Sequence, residues 1–228
     1  MKKKGTKKDT DWQKTLSRAF IVFILVSCVV GFSLTFSFFS VFKKAEKGNY
    51  VIVDYTLSYE DGAPIISSSQ AVVQNAYKNG YPVALTQPLV LQVGALQEEK
   101  IIPVETYIYP DGMKQYALFD LELNTISADI EGMGQNDVKK INLDFAPTLT
   151  TNMSGTVYDA IGGNFSEAQV GMIVPLAFSY NPELSENETD TNTSVKLERP
   201  SIITEKTDDT LILRYGYAVA DVQIKEIR

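Results

Sequence analysis

An uninterrupted apolar run over residues 19–42 limits the fold of this chain more than any other sequence feature. No charged residue occurs in these 24 positions. As an α-helix, a segment of this length extends about 36 Å, which is enough to cross a hydrocarbon core of about 30 Å with some tilt. The run therefore predicts one N-terminal transmembrane helix.

The charges on either side of the run predict its orientation. Residues 1–18 contain seven basic residues against two acidic ones, and only three lysines follow the run before residue 48. The more basic flank tends to stay in the cytoplasm. We therefore expect a basic cytoplasmic tail over residues 1–18, a single pass through the cell membrane, and an extracytoplasmic domain beyond residue 48.

Two other interpretations of the run are weaker. A cleaved signal peptide has a shorter apolar core and a small-residue cleavage site, and this run has neither. Leu25-Val26-Ser27-Cys28 resembles a bacterial lipobox, but strongly apolar sequence continues for fourteen residues after Cys28. We therefore favour an uncleaved anchor.

The composition excludes several classes of chemistry. The chain contains no histidine and one cysteine, so histidine-based catalytic triads, histidine-ligated zinc, a disulfide framework within the chain and CxxC metal sites are ruled out. We expect neither a metal nor a cofactor. The net charge is −7 and the positive charge is concentrated before residue 50. The acidic remainder argues against nucleic acid as a partner.

A strand with one apolar face begins the extracytoplasmic part. Residues 50–59 alternate in side-chain character with a period of two, which is typical of a strand. The turn Glu60-Asp61-Gly62 follows, and a short segment then ends in serines at residues 67–69. This order resembles the first core strand of the FKBP-type peptidyl-prolyl isomerases.

Five further segments resemble that family, in the family's order. Residues 87–95 resemble its next strand, residues 123–133 its short helix ending in Gly-Met, and residues 138–145 the strand after that helix. Residues 165–176 resemble the insert-in-flap module of long, SlyD-like members, and residues 217–227 resemble the closing strand. The spacing also looks like that of membrane-anchored homologues of methanogenic archaea.

The resemblance implies an α+β fold, in which a bent antiparallel sheet surrounds a short helix and a β-rich lobe is inserted. We place the FKBP-like domain at residues 48–149 and 216–228, and the lobe at residues 150–215. A Pro110-Asp111-Gly112 turn between two β-rich segments predicts an additional hairpin over about residues 97–121. This hairpin either packs on the sheet or acts as a flap that grips a substrate.

A proline-binding cup is also implied by the resemblance. Tyr55 matches the tyrosine of the family's site, although it could equally be an inward-facing core aromatic. Ile65 and Ile66 stand where the family has a Phe-Asp pair. Ile126 falls near the position of the aromatic residue at the base of the cup. The cup of this chain would therefore be aliphatic and without a carboxylate.

An altered cup changes the activity that we expect. Prolyl isomerisation breaks no covalent bond, and it is accelerated when the amide, with its barrier of about 18–20 kcal/mol, is held twisted in an apolar site. The missing aromatic and acidic groups predict a peptidyl-prolyl cis-trans isomerase with weak or absent activity. Ile102 and Leu123 are alternatives for the aliphatic wall of the cup.

The lobe implies a second function, the chaperone-like binding of unfolded or proline-containing polypeptides. The candidate contact residues are Val170, Met172, Ile173, Val174, Leu176 and Phe178. Alternatively, these side chains form the lobe's own core. A rival to the folding factor is a non-catalytic cell-surface domain that binds a partner or serves as a scaffold.

Asn-x-Ser/Thr sequences occur at Asn152, Asn164, Asn187 and Asn192. Such sequences suit exposed loops of a domain outside the cytoplasm, where the asparagine can accept a glycan.

Overall fold

The computed structural model of the protein describes residues 10–41, 43–180 and 195–228. The chain forms two compact units, Met1–Lys43 and Lys44–Arg228. The described part of the first unit is a helix of 32 residues, α1 (Thr10–Val41). Over the described residues, no helix combines the length and the hydropathy required to cross a membrane.

The second unit is an α+β domain with a curled, mixed sheet. Its strands are β1 (Tyr50–Ser58), β2 (Pro64–Ser67), β3 (Ala84–Thr86), β4 (Leu89–Gln92), β5 (Ile101–Ile108), β6 (Gly112–Phe119), β7 (Val138–Asn142), β8 (Thr150–Ser154), β9 (Ile173–Tyr180), β10 (Val195–Lys206), β11 (Thr210–Arg214) and β12 (Val219–Ile227). The helices are α2 (Gln70–Lys78), α3 (Asp120–Asp129) and α4 (Gly155–Ala160), and a 3-10 turn covers Ala146–Thr148.

The strands follow one path through the sheet, in the order β7-β12-β1-β2-β3-β5-β6-β10-β11-β8, with β4 beside β1 and β9 beside β10. Most neighbours are antiparallel, but β2 and β3 are parallel, as are β6 and β10. The sheet is therefore mixed, whereas the sequence analysis expected an antiparallel sheet. The physical reason at β2 and β3 is that α2 connects them, and a helical crossover returns the chain in the same direction.

The strand β1 has one buried face, as its alternating sequence predicts. Val51, Val53, Tyr55 and Leu57 are all buried on one face. The strand pairs along nearly its whole length with β12, while its first half pairs with β4 and its end with β2. The hairpin expected around Pro110 is formed by β5 and β6.

Two separate clusters of buried apolar side chains fill the unit. The larger contains residues from 45 to 143 and from 217 to 227, including side chains of β1, α3 and β12. The smaller contains Tyr158, Ala168, Val174, Ile203, Leu211 and Leu213. All members of the smaller cluster lie within the lobe predicted at residues 150–215.

Candidate functional site

The residues predicted to line the proline cup lie together, but in a closed core. The exposed fractions are 1% for Tyr55, 4% for Ile65, and 0% for Ile66 and Ile126. All four belong to the larger cluster of buried side chains, to which β1, β2 and α3 contribute them. Leu123 is buried in the same cluster and Ile102 packs against it. The structure brings these residues together without opening them to a ligand.

An ion pair that the sequence analysis missed is buried in the same unit. The Arg199 side chain of β10 and the Glu122 side chain of α3 are both fully buried. Two guanidinium nitrogens of Arg199 donate to the two carboxylate oxygens of Glu122, one of them at 3.1 Å. Glu122 is four residues before Ile126 on α3, so the pair lies one helical turn from the predicted cup.

The remaining polar groups of this ion pair are also bonded. Arg199 Nε donates to the Tyr215 carbonyl oxygen at 2.7 Å, and Nη1 donates to the Ala117 carbonyl oxygen at 2.8 Å. The Glu122 carboxylate also accepts the backbone N–H of Phe119, the N-cap residue of α3, at 2.9 Å. Burial alone would lower the pKa of Arg199, but the charge of Glu122 raises it, so the guanidinium stays charged.

Aromatic rings enclose the guanidinium group. Its central carbon lies 4.1 Å from the ring centroid of Phe119 and 4.0 Å from that of Tyr217. Phe119 also contacts Phe178 and Tyr215 edge to face, with centroids 5.4 and 5.9 Å apart. These are favourable cation–π and aromatic geometries. The charge of Arg199 is therefore held by a carboxylate and by the faces of two rings.

Two buried tyrosine hydroxyls have no hydrogen-bond partner among the described residues: that of Tyr55 in β1 and that of Tyr59, which follows β1. Thr86 is the polar neighbour of Tyr55, but its hydroxyl donates instead to the Glu105 carbonyl oxygen at 3.0 Å. Burial raises the pKa of both tyrosines, so they stay protonated. A protonated tyrosine cannot act as a base. Burial of each hydroxyl without a partner also costs free energy of desolvation.

The predicted client-binding residues divide into two groups. Val170, Met172 and Ile173 are 62%, 43% and 49% exposed. Val174 is buried in the smaller cluster and Leu176 packs against that cluster. Phe178 is half-buried within the aromatic contacts described above. Three of the six residues are therefore accessible, and the other three are buried or half-buried in the second unit.

An apolar groove of about 570 Å³ lies beside the exposed residues. Residues 173–177 of β9 form one wall, and the other wall comes from Met153, Tyr158 and residues 161–163. Within the described residues β9 pairs only with β10. Its other edge therefore offers unpaired backbone groups next to an apolar surface.

A second surface is rich in exposed tyrosines. Tyr77, Tyr81, Tyr107 and Tyr109 are between 44% and 60% exposed. The rings of Tyr77 in α2 and Tyr109 at the hairpin tip contact edge to face, with centroids 5.3 Å apart. A shallow groove of about 470 Å³ follows α2, from Pro64 to Tyr81. This surface is separate in sequence from the lobe.

Comparison with known proteins adds no assignment: no protein-family model matches this sequence, and no curated protein is significantly similar to it. Across the described residues, no group of three or more acidic or cysteine side chains is arranged to hold a metal ion.

The first prediction concerns the buried ion pair. Replacing Arg199 by Met leaves Glu122 buried and unpaired, which should lower the free energy of unfolding of the unit Lys44–Arg228 by about 3–5 kcal/mol. The double variant Arg199→Met with Glu122→Leu should be clearly more stable than Arg199→Met alone, because no uncompensated charge remains. Equilibrium unfolding in urea measures both.

Lys114→Met provides the matched control. The Lys114–Glu198 ion pair has a distance of 2.9 Å, but its side chains are 30% and 39% exposed. Its loss should cost less than about 1 kcal/mol. If Arg199→Met were as mild as this control, the ion pair would not have the importance that we assign to it.

The second prediction concerns alkaline pH. Burial raises the pKa of Tyr55, Tyr59, Tyr116 and Tyr217 above the usual value of about 10. The stability associated with these raised pKa values is therefore fully present below pH 10. Above pH 10 the unfolded chain loses protons that the folded chain keeps, so the free energy of unfolding falls, by up to about 1.4 kcal/mol per pH unit for each tyrosine.

Urea unfolding between pH 9 and pH 12 measures this slope. Tyr55→Phe should reduce it without destabilising the protein at pH 7, because the lost hydroxyl has no partner. Tyr50→Phe, at an exposed position, is the matched control. An equal effect of the two substitutions would contradict the prediction.

Proposed function

We propose that this chain is a membrane-anchored, extracytoplasmic FKBP-like folding factor whose proline site is closed and whose lobe binds unfolded polypeptide. The observation that carries the proposal is the burial of Tyr55, Ile66 and Ile126 in one core cluster, beside a lobe with an open apolar groove. The resemblance to the family predicts catalysis of prolyl isomerisation, whereas the exposed groove predicts binding of polypeptide. The two observations therefore lead to different expectations for this protein.

The order of the elements supports the FKBP-like assignment. The segments that resemble the family correspond to β1, β4, α3, β7 and β12. The short helix α3 buries Leu123 and Ile126 in the same cluster as β1 and β12. A curled sheet that packs against a short helix is in line with the bent sheet around a short helix that the resemblance implies.

The N-terminal segment supports the anchor. Residues 19–42 contain no charge and follow a strongly basic stretch. On α1, the side chains of Phe20, Phe23 and Phe32 are exposed. Apolar side chains on such a helix need an apolar surrounding, which a bilayer supplies.

The closed core argues against effective isomerisation. A prolyl amide would have to reach side chains that are almost fully buried, and this requires the cluster around β1 and α3 to open. Opening would expose the ion pair of Glu122 and Arg199, which costs several kcal/mol if the pair separates. The binding free energy of a short peptide would then offset the cost of this opening, and little of it would remain to stabilise the twisted amide.

The lobe, in contrast, offers a surface that needs no opening. An extended polypeptide can add a strand to the free edge of β9, where backbone hydrogen bonds give affinity for any sequence. The apolar groove next to β9 then takes side chains of the added strand. Unfolded chains are rich in both exposed backbone and apolar side chains, so they fit this surface.

The third prediction tests catalysis. The full chain in detergent micelles should leave the cis-trans isomerisation of a chromogenic Xaa-Pro peptide at its uncatalysed rate, because the cup is closed. A known active FKBP in the same detergent serves as the positive control. Acceleration by this chain at the rate of an ordinary FKBP would contradict the closed-site proposal.

The fourth prediction tests binding. The full chain should slow the aggregation of a chemically unfolded client, and Ile173→Ser in the groove should weaken this effect about fivefold. The physical reason is that the exposed half of an isoleucine contributes about 1 kcal/mol when a client covers it. Light scattering during dilution of the client from denaturant measures the effect.

Val90→Ser is the matched control, since Val90 is an exposed valine on β4, outside the lobe. It should leave the suppression of aggregation unchanged. If the unsubstituted chain suppresses no aggregation, the alternative function gains support: a non-catalytic cell-surface binding or scaffold domain. The exposed tyrosines of α2 and the hairpin tip favour that alternative, because aromatic side chains supply much of the binding energy at protein interfaces.

A further inference from the structure

Two Asn-x-Ser sequences lie in the described part of the chain, and their structural surroundings differ. Asn164 follows α4 in a turn, and its side chain is exposed. Asn152 lies inside β8, and its side chain is also exposed. Exposure alone therefore does not distinguish the two asparagines, but their hydrogen bonds do.

The side chain of Asn164 is oriented by the serine of its own sequence motif. Its Oδ1 atom accepts the backbone N–H of Ser166 at 3.1 Å and the hydroxyl of Ser166 at 2.7 Å. Because the backbone N–H can only donate, the oxygen must face Ser166 and the amide nitrogen must face the other way. Among the described residues, Nδ2 of Asn164 has no hydrogen-bond partner.

The backbone around Asn164 is held in place. Its carbonyl oxygen accepts the N–H groups of Glu167 and Ala168 at 3.1 and 3.0 Å. Lys206 Nζ donates to the carbonyl oxygens of Phe165 and Ala168 at 2.6 and 2.9 Å. The amide nitrogen of Asn164 is thus presented to solvent by a fixed, exposed turn.

Asn152 lacks these features. It is the middle residue of β8 and stands opposite Ile212 in the antiparallel ladder with β11. The hydroxyl of Ser154 accepts the backbone N–H of Val157 at 3.3 Å and so caps α4. An enzyme that acts on Asn152 would have to lift an edge strand and remove a helix cap.

We propose that Asn164 is an N-glycosylation site of the folded protein and that Asn152 is not. The co-substrate is a lipid-linked sugar phosphate. Nδ2 of Asn164 forms a bond to the anomeric carbon of the sugar, the bond from that carbon to the phosphate oxygen breaks, and the lipid phosphate leaves with the bonding electrons. Nδ2 gives up one proton to a base of the transferase. Because glycosyl transfer of this kind occurs outside the cytoplasm, the inference rests on the proposed extracytoplasmic location.

Peptide mapping by mass spectrometry tests the inference. The full chain is produced in an N-glycosylating host, with an Asn-Ala-Thr sequence appended after Arg228 as a reporter of location. Chymotryptic cleavage after Tyr158 separates Asn152 from Asn164. The expected result is a glycan mass on the Asn164 peptide and an unmodified Asn152 peptide. Ser166→Ala should abolish the added mass, and Ser166→Thr should retain it.

Each other outcome overturns the inference in a distinguishable way. A modified reporter with an unmodified Asn164 peptide rejects the site and leaves the external location standing. An unmodified reporter and an unmodified Asn164 peptide reject the external location together with the site. Equal modification of Asn152 and Asn164 shows that the folded turn does not select the site.

Discussion

The buried ion pair of Arg199 and Glu122 is the interaction on which the second unit depends most. It joins four segments: Arg199 lies on β10, Glu122 on α3, and the accepting carbonyl groups belong to Ala117 of β6 and Tyr215 after β11. Two charges can be buried only when their hydrogen-bonding capacity is used. Separation of β10 from α3 would therefore leave the Glu122 carboxylate unpaired in an apolar core.

This constraint also explains why the predicted cup is closed. Phe119 and Tyr217 pack on the two faces of the guanidinium, and Tyr59 contacts Tyr217 edge to face at 5.7 Å. Tyr59 and Tyr217 belong to the same cluster of buried side chains as Tyr55. The unpaired hydroxyls of Tyr55 and Tyr59 are a cost that the packing of their rings offsets.

Local patterns predict the parts of the fold that depend on local physics. The period of two in β1 predicts the buried face, and the Pro110-Asp111-Gly112 turn predicts the β5–β6 hairpin. The strand β3 escapes prediction because it has three residues and its parallel partner is reached through α2. Pairings of this kind are set by the tertiary fold and leave little trace in a single segment.

Arg199 shows a different limit of sequence analysis. A single arginine is usually exposed, and its partner Glu122 is 77 residues away. A signal was present nonetheless: Leu197, Arg199 and Ile203 share one face of β10, and all three are fully buried. Strict alternation in a strand places a charged residue inside when its neighbours at two-residue intervals are core residues. A buried arginine can therefore be predicted when the alternation of core residues along a strand is given more weight than the usual exposure of arginine.

The strand edges of the sheet differ in chemical character. The path of the sheet ends at β7 and β8, and within the described residues β9 also pairs on one side only. On β7, Lys139 and Lys140 place charges at the edge, and β8 presents Thr151 and Asn152. Charged and polar edges discourage strand addition. At β9 an incoming strand would instead meet an apolar groove, which is why the proposed binding surface is placed there.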